Sequence, residues 1–230
     1  MRGRIWKHLN REEMMAETLI VALFLAFSGG FQDAYTFIVR DHVFANAQTG
    51  NIVLMSTNLI KGDYAAVIRY LMPVCAFAAG VLAADLCRSL HRGIIHNTWH
   101  QTVVLAEMVC LFLVGFMPAE VNILANMIVS FSCAMQVETF RKVNGNPYAS
   151  TMCIGNLRSC NSNLSQFIQT HSRKYLVNAM DYFLVIFVFA VGAGIGGNFS
   201  DDIGIHSVWI CLPFLLIAYL LMFGKKEKAE

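Results

Sequence analysis

Charge is what this chain has least of. Only 14% of its 230 residues are Asp, Glu, Lys or Arg, where soluble domains carry about a quarter. With 57% hydrophobic residues and a mean hydropathy of +0.54, that scarcity excludes an ordinary soluble domain. The seven cysteines form no CxxC pair, and all but Cys160 sit in apolar or semi-apolar runs. They read as small apolar side chains for burial rather than as a disulfide framework. Missing too are G-x-S-x-G, H-E-x-x-H, a P-loop and a dinucleotide-binding G-x-G-x-x-G in a strand–helix context, so hydrolytic catalysis has little support. Gly192 to Gly197 is glycine-rich but lies inside an apolar run, where it favours tight helix packing. No nucleic-acid module is present. The basic N-terminus is followed by no small-residue cleavage pattern, so the first apolar run reads as a retained span. The net charge of +2 says little about partners.

What is present is a series of apolar runs of the length a bilayer demands, about 20 residues each. Glu17 to Val39 is the first, Tyr64 to Leu86 the second, with Pro73 as an expected kink. Cys87 to Trp99 is a polar, basic connector, after which Gln101 to Met117 spans again and ends at Pro118. Val121 to Phe140, Asn178 to Gly197 and Ile205 to Phe223 complete the set, with an acidic turn over Asn198 to Gly204. Two further segments have helix length but are too polar for lipid. His42 to Ile60 carries Asn46, Gln48, Thr49, Asn51, Ser56, Thr57 and Asn58; Tyr148 to Phe167 carries Ser150, Thr151, Asn156, Arg158, Ser159, Asn161 and Asn163. Turn chemistry at Asn144-Gly145-Asn146-Pro147 precedes the second of these.

The two halves echo each other. Gln32-Asp33 is followed by Gln48-Thr49-Gly50-Asn51, and Gln136-Val137-Glu138 by Ile154-Gly155-Asn156. The acid and the Gly-Asn are 17 residues apart in both, and Phe77-Ala78-Ala79-Gly80 returns as Phe189-Ala190-Val191-Gly192. Each unit is then a span with an acid, a polar segment and two ordinary spans, an internal symmetry typical of transporter folds. The expected organisation is a cytoplasmic segment 1–16, one membrane domain over 17–224 (repeats at about 17–117 and 121–223) and a basic tail 225–230.

Charge tests how often the chain crosses. If both polar segments dip in and return, six crossings put 14 Lys and Arg inside and 3 outside; if both cross fully, the split is 12 to 5. Six crossings fit the positive-inside rule better, with both termini cytoplasmic. Three crossings per unit turn the halves opposite ways, an inverted-topology repeat whose broken helices meet near the midplane. The expectation is an all-α membrane protein with about six transmembrane helices and two polar re-entrant or broken segments.

An ionisable group inside a span is costly and marks a functional site by default. Asp33 and Glu138 occupy matching places and could face each other across the axis, where neighbouring carboxylates bind a cation or hold a proton. Alternatively each accepts hydrogen bonds within its own half, near Arg40 or Arg141. Glycine breaks a helix and admits a ligand to the backbone, and asparagine offers donor and acceptor atoms. The candidate pathway is therefore Gln32, Asp33, Gln48, Thr49, Gly50, Asn51, Glu107, Gln136, Glu138, Gly155 and Asn156. Glu107 lies mid-span without a basic neighbour, either a relay acid or a buried carboxyl bonded to another helix. Asp85 and Asp181 read as interfacial. His96 and His100 share a helix face, with His91 as the one available third ligand, so no metal or cofactor is assigned.

These residues resemble those of the YoaK family of bacterial membrane proteins, a domain of unknown function (1275). The resemblance rests on Gly29-Gly30-x-x-Asp33-Ala34-x-x-Phe37, Thr49-Gly50-Asn51, Gln136, Phe140-Arg141-Lys142-Val143-x-Gly145 and Ala149-Ser150-Thr151-Met152-x-x-Gly155-Asn156-Leu157, and extends roughly from Glu17 to Phe223. It implies a bacterial inner-membrane protein of about six helices and supplies no substrate. Many relatives have Asn-Ala where this chain has Val137-Glu138, and Thr where it has Ile154.

The leading expectation is a small-solute secondary transporter or channel-like carrier, proton- or cation-coupled through Asp33 and Glu138. The alternatives are a non-transporting scaffold or lipid-interacting protein and, behind it, a membrane-embedded enzyme using Glu107 or Asp33 as a base. Expected partners are the lipid bilayer and an unknown small solute, with homo-oligomerisation left open.

Overall fold

The computed structural model describes residues 15–91 and 99–223. The basic N-terminal residues 1–14, Arg92, His96 and the Lys225-Lys226 tail lie outside the described residues.

The helices are of two kinds. Helices α1 (Leu19–Val39), α3 (Tyr64–His91), α4 (Trp99–Val114), α5 (Asn122–Thr139), α7 (Arg173–Ile203) and α8 (Cys211–Leu221) follow the apolar runs. The polar segments form α2 (Gln48–Lys61) and α6 (Cys153–Thr170). Short 3-10 turns, Ala119–Val121 and Gly204–Ile210, lead into α5 and α8. Leu19–Val39, Tyr64–Ser89, Ala119–Thr139 and Arg173–Leu221 are long and apolar enough to cross a membrane, the last holding both α7 and α8; Trp99–Val114 is apolar but shorter. The fold is that of an all-α membrane protein.

Burial is distributed accordingly. Ile20, Ile60, Leu82 and Leu86 are each more than half exposed, while Gln32, Arg40, Asn51, Asn126 and Ser130 have no exposed surface. A chain that buries amides and displays aliphatics is matched to an apolar solvent, where every interior polar group needs a protein partner. Arg40 shows how this is met. Its guanidinium donates to Tyr35 Oη at 2.8 Å, Asn122 Oδ1 at 2.8 Å and the Val114 carbonyl at 2.9 Å, tying the ends of α1, α4 and α5 together.

The packing joins the halves crosswise. The two most extensive interfaces are α1 on α7 and α3 on α5; α2 lies on α3 and α6 on α7; α4 meets α5, α8 meets α1, and α4 meets α8. Exchanging α1 with α5, α2 with α6, α3 with α7 and α4 with α8 leaves this set of pairings unchanged. Glycine permits the closest crossings. A Cβ on Gly192 would collide with the Phe27 carbonyl of α1, and one on Gly80 with the Phe131 carbonyl of α5.

Several boundaries differ from the sequence reading. His42 to Ala47 is not helical, because Asp41 and His42 take left-handed backbone (φ 64° and 58°) and turn the chain back along α1. Tyr148 to Met152 is likewise non-helical, so each polar segment is a loop followed by a helix. The expected acidic turn from Asn198 is still helix. Hydrogen bonding continues to Ile203, and Gly204, at φ 71°, makes the break. The Asn144-Gly145 turn closes a two-residue hairpin between β1 (Lys142–Val143) and β2 (Asn146–Pro147), both turn residues having positive φ.

Candidate functional site

The site is assembled where the two loops meet α1. Gly29 is the eleventh of the 21 residues of α1 and therefore its midpoint. From one side Asn46 donates through Nδ2 to the Gly29 carbonyl at 3.2 Å. From the other, the Thr151 methyl occupies the space a Cβ on Gly29 would need. Asn46 and Thr151 are 105 residues apart, the offset that relates the two acids in sequence.

Each loop is held by the same device. Asn51 Nδ2 donates to the Phe44 carbonyl at 2.7 Å while the Phe44 amide donates to Asn51 Oδ1 at 3.0 Å. Asn156 Nδ2 donates to the Ala149 carbonyl at 2.7 Å, and the Ala149 amide to Asn156 Oδ1 at 3.4 Å. Both asparagines are thus turned inward onto backbone seven residues earlier. They shape the loops and leave little for a solute. Gln48 adds a bond from Nε2 to the Ala45 carbonyl at 2.8 Å and accepts from Asn51 at 2.9 Å.

Asp33 sits one helical turn beyond Gly29. Its Oδ1 accepts the Asn46 amide at 2.7 Å, so the carboxylate anchors the loop immediately before α2. A cavity of about 880 Å³ opens beside it, within the range typical of small-molecule sites. Asp33, Asn46, Gln48 and Thr49 line it on the α2 side, and Thr151, Cys153, Ile154 and Gly155 on the α6 side. Phe77 of α3 and Phe189 of α7, the paired positions of the repeated Phe-Ala-x-Gly, complete the walls. The two polar segments therefore do meet in one cavity. Gly155 contributes open space, a Cβ there meeting nothing within 4 Å, whereas Gly50 is covered by the Phe44 ring.

A second buried cluster lies behind the cavity. Glu107 of α4 is 1% exposed and accepts from Gln32 Nε2 at 2.9 Å. Gln136, with its amide oriented to satisfy both ends, donates to Glu107 Oε2 at 2.8 Å and accepts from Ser150 Oγ at 2.8 Å. One carboxyl thus receives a glutamine from each of the two acid-bearing helices. Gln32 also donates to Ser28 Oγ at 2.9 Å and accepts from Cys133 Sγ at 2.9 Å, giving that cysteine a polar role beyond apolar filling. Of the two expectations for Glu107, bonding to neighbouring helices describes the geometry.

Glu138 is placed elsewhere. It forms an ion pair with Arg141 near the end of α5, and Arg141 also reaches Asp85 at 3.6 Å. Asp33 and Glu138 do not face each other across the cavity, because the Arg141 charge holds Glu138 within its own half. His100 lies edge-on to Phe140, and among the described residues no three His, Cys, Asp or Glu side chains cluster as metal ligands. Asn46, Thr151 and the two phenylalanines were not selected from the sequence. The offset of 105 between Asn46 and Thr151 was the available signal.

Helices with apolar exteriors, two loop-plus-helix segments meeting at the midpoint of α1 and a cavity between them define a polytopic α-helical membrane protein with an internal cavity. A family model described as "Protein of unknown function (DUF1275)" matches residues 21–221, and the chain belongs to that family. It is 27% identical over 214 residues to the UPF0700 transmembrane protein YoaK of Bacillus subtilis (strain 168), a match covering 87% of this chain and 91% of that relative. No solved structure matches it.

Proposed function

We propose that the protein carries a small solute across the plasma membrane through the cavity between α2 and α6, with Asp33 as the residue that couples the movement to a proton or cation. The observation that carries this reading is the convergence of the two polar segments on one cavity at the midpoint of α1. Irregular backbone at membrane depth is tolerated where it is enclosed by protein or lines a water-filled space, and broken helices at the midplane are how carriers build solute sites. Polar content, not length, sets α2 and α6 apart: α4 and α8, at 16 and 11 residues, are no longer than α6 but are apolar, whereas α2 and α6 are rich in amides and hydroxyls. We read α2 and α6 as re-entrant and the other six helices as crossings, with both termini cytoplasmic. The crosswise pairing, unchanged when the halves are exchanged, supports an inverted-topology repeat. The role is carriage rather than catalysis.

The test is uptake by the purified chain in proteoliposomes under an imposed proton or sodium gradient. Asp33→Asn is expected to abolish gradient-driven uptake while the protein remains monodisperse. Undiminished gradient-driven uptake by that variant refutes the coupling role. A wild-type chain that moves no solute from a broad metabolite mixture refutes carriage.

A further inference from the structure

The two sides of the cavity differ in chemistry, and the difference specifies a ligand. On the α2 side stand acceptors. Asp33 supplies a carboxylate, one oxygen of which accepts the Asn46 amide, and beside it Asn46, 5% exposed, has an Oδ1 with no hydrogen-bond partner among the described residues. The start of α2 offers less to an anion. The Gln48 and Gly50 amides are bonded to the carbonyls of Asn46 and Ala47, and the Asn46 amide is taken by Asp33. On the α6 side stand donors. The first turn of a helix leaves its N–H groups without intrahelical acceptors, and among the described residues no side chain caps this one, as none caps α2. Cys153, Ile154 and Gly155 of that turn line the cavity, with open space at Gly155 for close approach to backbone. The helix end carries about half a positive charge. Thr151, next to it and 7% exposed, has a hydroxyl without a partner among the described residues. Between these poles the walls are apolar, with the aromatic rings of Phe37, Phe44, Phe77 and Phe189, and among the described residues no Lys, Arg or His lines the cavity.

From this we propose that the cavity takes a zwitterion with an apolar body, of which an amino acid with a bulky apolar side chain is the simplest case. Its ammonium pairs with Asp33 and Asn46 Oδ1, its carboxylate accepts from the Thr151 hydroxyl and the first amides of α6, and its side chain lies against the phenylalanines. Spacing agrees with charge. Thr151 packs on Gly29, one turn of α1 before Asp33, so the poles are about one helical pitch, 5.4 Å, apart along α1. Ammonium and carboxylate borne on a single carbon can reach both. A simple cation leaves the uncapped end of α6 unanswered, and a simple anion meets the charge of Asp33. The inference rests on the carrier reading only in taking this cavity as the solute site.

The test compares three molecules of one shape. L-Phenylalanine, phenethylamine and 3-phenylpropanoate are titrated calorimetrically into the full chain in nanodiscs. Phenylalanine is expected to bind at least about tenfold more tightly than either half-ligand, about 1.4 kcal/mol by conversion. In Asp33→Asn its affinity falls to that of 3-phenylpropanoate, and in Thr151→Val combined with Cys153→Pro to that of phenethylamine. Proline is tolerated at the first helical position, so the latter variant removes a donor without breaking α6. Gly155→Phe, placed in open space, fills the cavity and abolishes binding at an unchanged Tm. Equal or tighter binding of either half-ligand overturns the proposal, as does absence of phenylalanine binding by folded protein. Binding without flux in proteoliposomes refutes carriage and leaves the ligand class standing. Flux of another solute, blocked by Gly155→Phe in a chain that ignores phenylalanine, does the reverse.

Discussion

The carboxyl shared by Gln32 and Gln136 makes a quantitative prediction. In Glu107→Leu the volume is roughly kept but the acceptor is gone. Gln32 Nε2 retains Ser28 Oγ at 2.9 Å and loses one bond. Gln136 can turn its amide so that Nε2 donates to Ser150 Oγ at 2.8 Å, recovering part of its loss. One stranded buried amide hydrogen costs about 1–3 kcal/mol, and a half-satisfied second amide adds a smaller amount. The sum is about 2–4 kcal/mol, a Tm drop of roughly 5–12 °C in a chain of this length. Glu107→Gln keeps one acceptor oxygen, and the reorientation of Gln136 gives its new N–H₂ a partner. Its expected drop is below about 3 °C. Thermal unfolding of the three proteins in nanodiscs, followed by tryptophan fluorescence, reads both numbers. A Leu variant within about 2 °C of wild type refutes a role for this cluster in holding α1 and α5 to α4. A Gln variant that falls as far as Leu shows that charge, not the count of acceptors, stabilises the cluster.

Other outcomes follow from the same geometry. Asn51→Ala and Asn156→Ala each remove the pair of bonds that closes a loop, and each should cost about 2–3 kcal/mol, Asn51→Ala the more because it also loses Gln48; a variant of either that unfolds within error of wild type would argue against this role. Gly192→Leu drives a side chain into the Phe27 carbonyl and should cost about 3 kcal/mol or more, read as loss of monodisperse protein, whereas Gly194→Leu, with nothing within 4 Å of its Cβ, should be tolerated. In a cysteine-free background, Thr49→Cys and Gly155→Cys should react with a charged thiol reagent and Leu82→Cys should not; silence at the first two positions refutes water access to the cavity.

Much of the fold was legible because apolar length is a one-dimensional signal. Each long helix grew from a run of residues that water rejects, and the composition that excluded a soluble domain located them. Polar content separated α2 and α6 from the rest for the same reason. Side-chain direction was not legible. Asn51 and Asn156 looked like ligands because an amide in an apolar run needs a partner, and the sequence could not show that the partner was backbone seven residues earlier. Glu138 matched Asp33 by spacing, yet Arg141, three positions on, pairs with it locally. Glu107 drew notice as an unpaired acid, but its bonds to Gln32 and Gln136 depend on how three helices cross, which periodicity does not encode. The left-handed pair at Asp41 and His42 was equally hidden, since neither residue is a glycine.

The crosswise pairing of helices bears on how the chain is made. Phe27 enters the membrane early in synthesis, yet the glycine it packs against, Gly192, emerges 165 residues later. At 5–20 residues per second that delay is on the order of ten seconds or more. Asp33 meets Asn46 only 13 residues on and Gln32 meets Glu107 after 75, but the face of α1 at Phe27, Gly30 and Phe31 waits throughout for the helix that packs closest on it. A chain interrupted before α7 therefore keeps the polar contacts of α1 within reach and lacks the surface that closes on Phe27, Gly30 and Phe31.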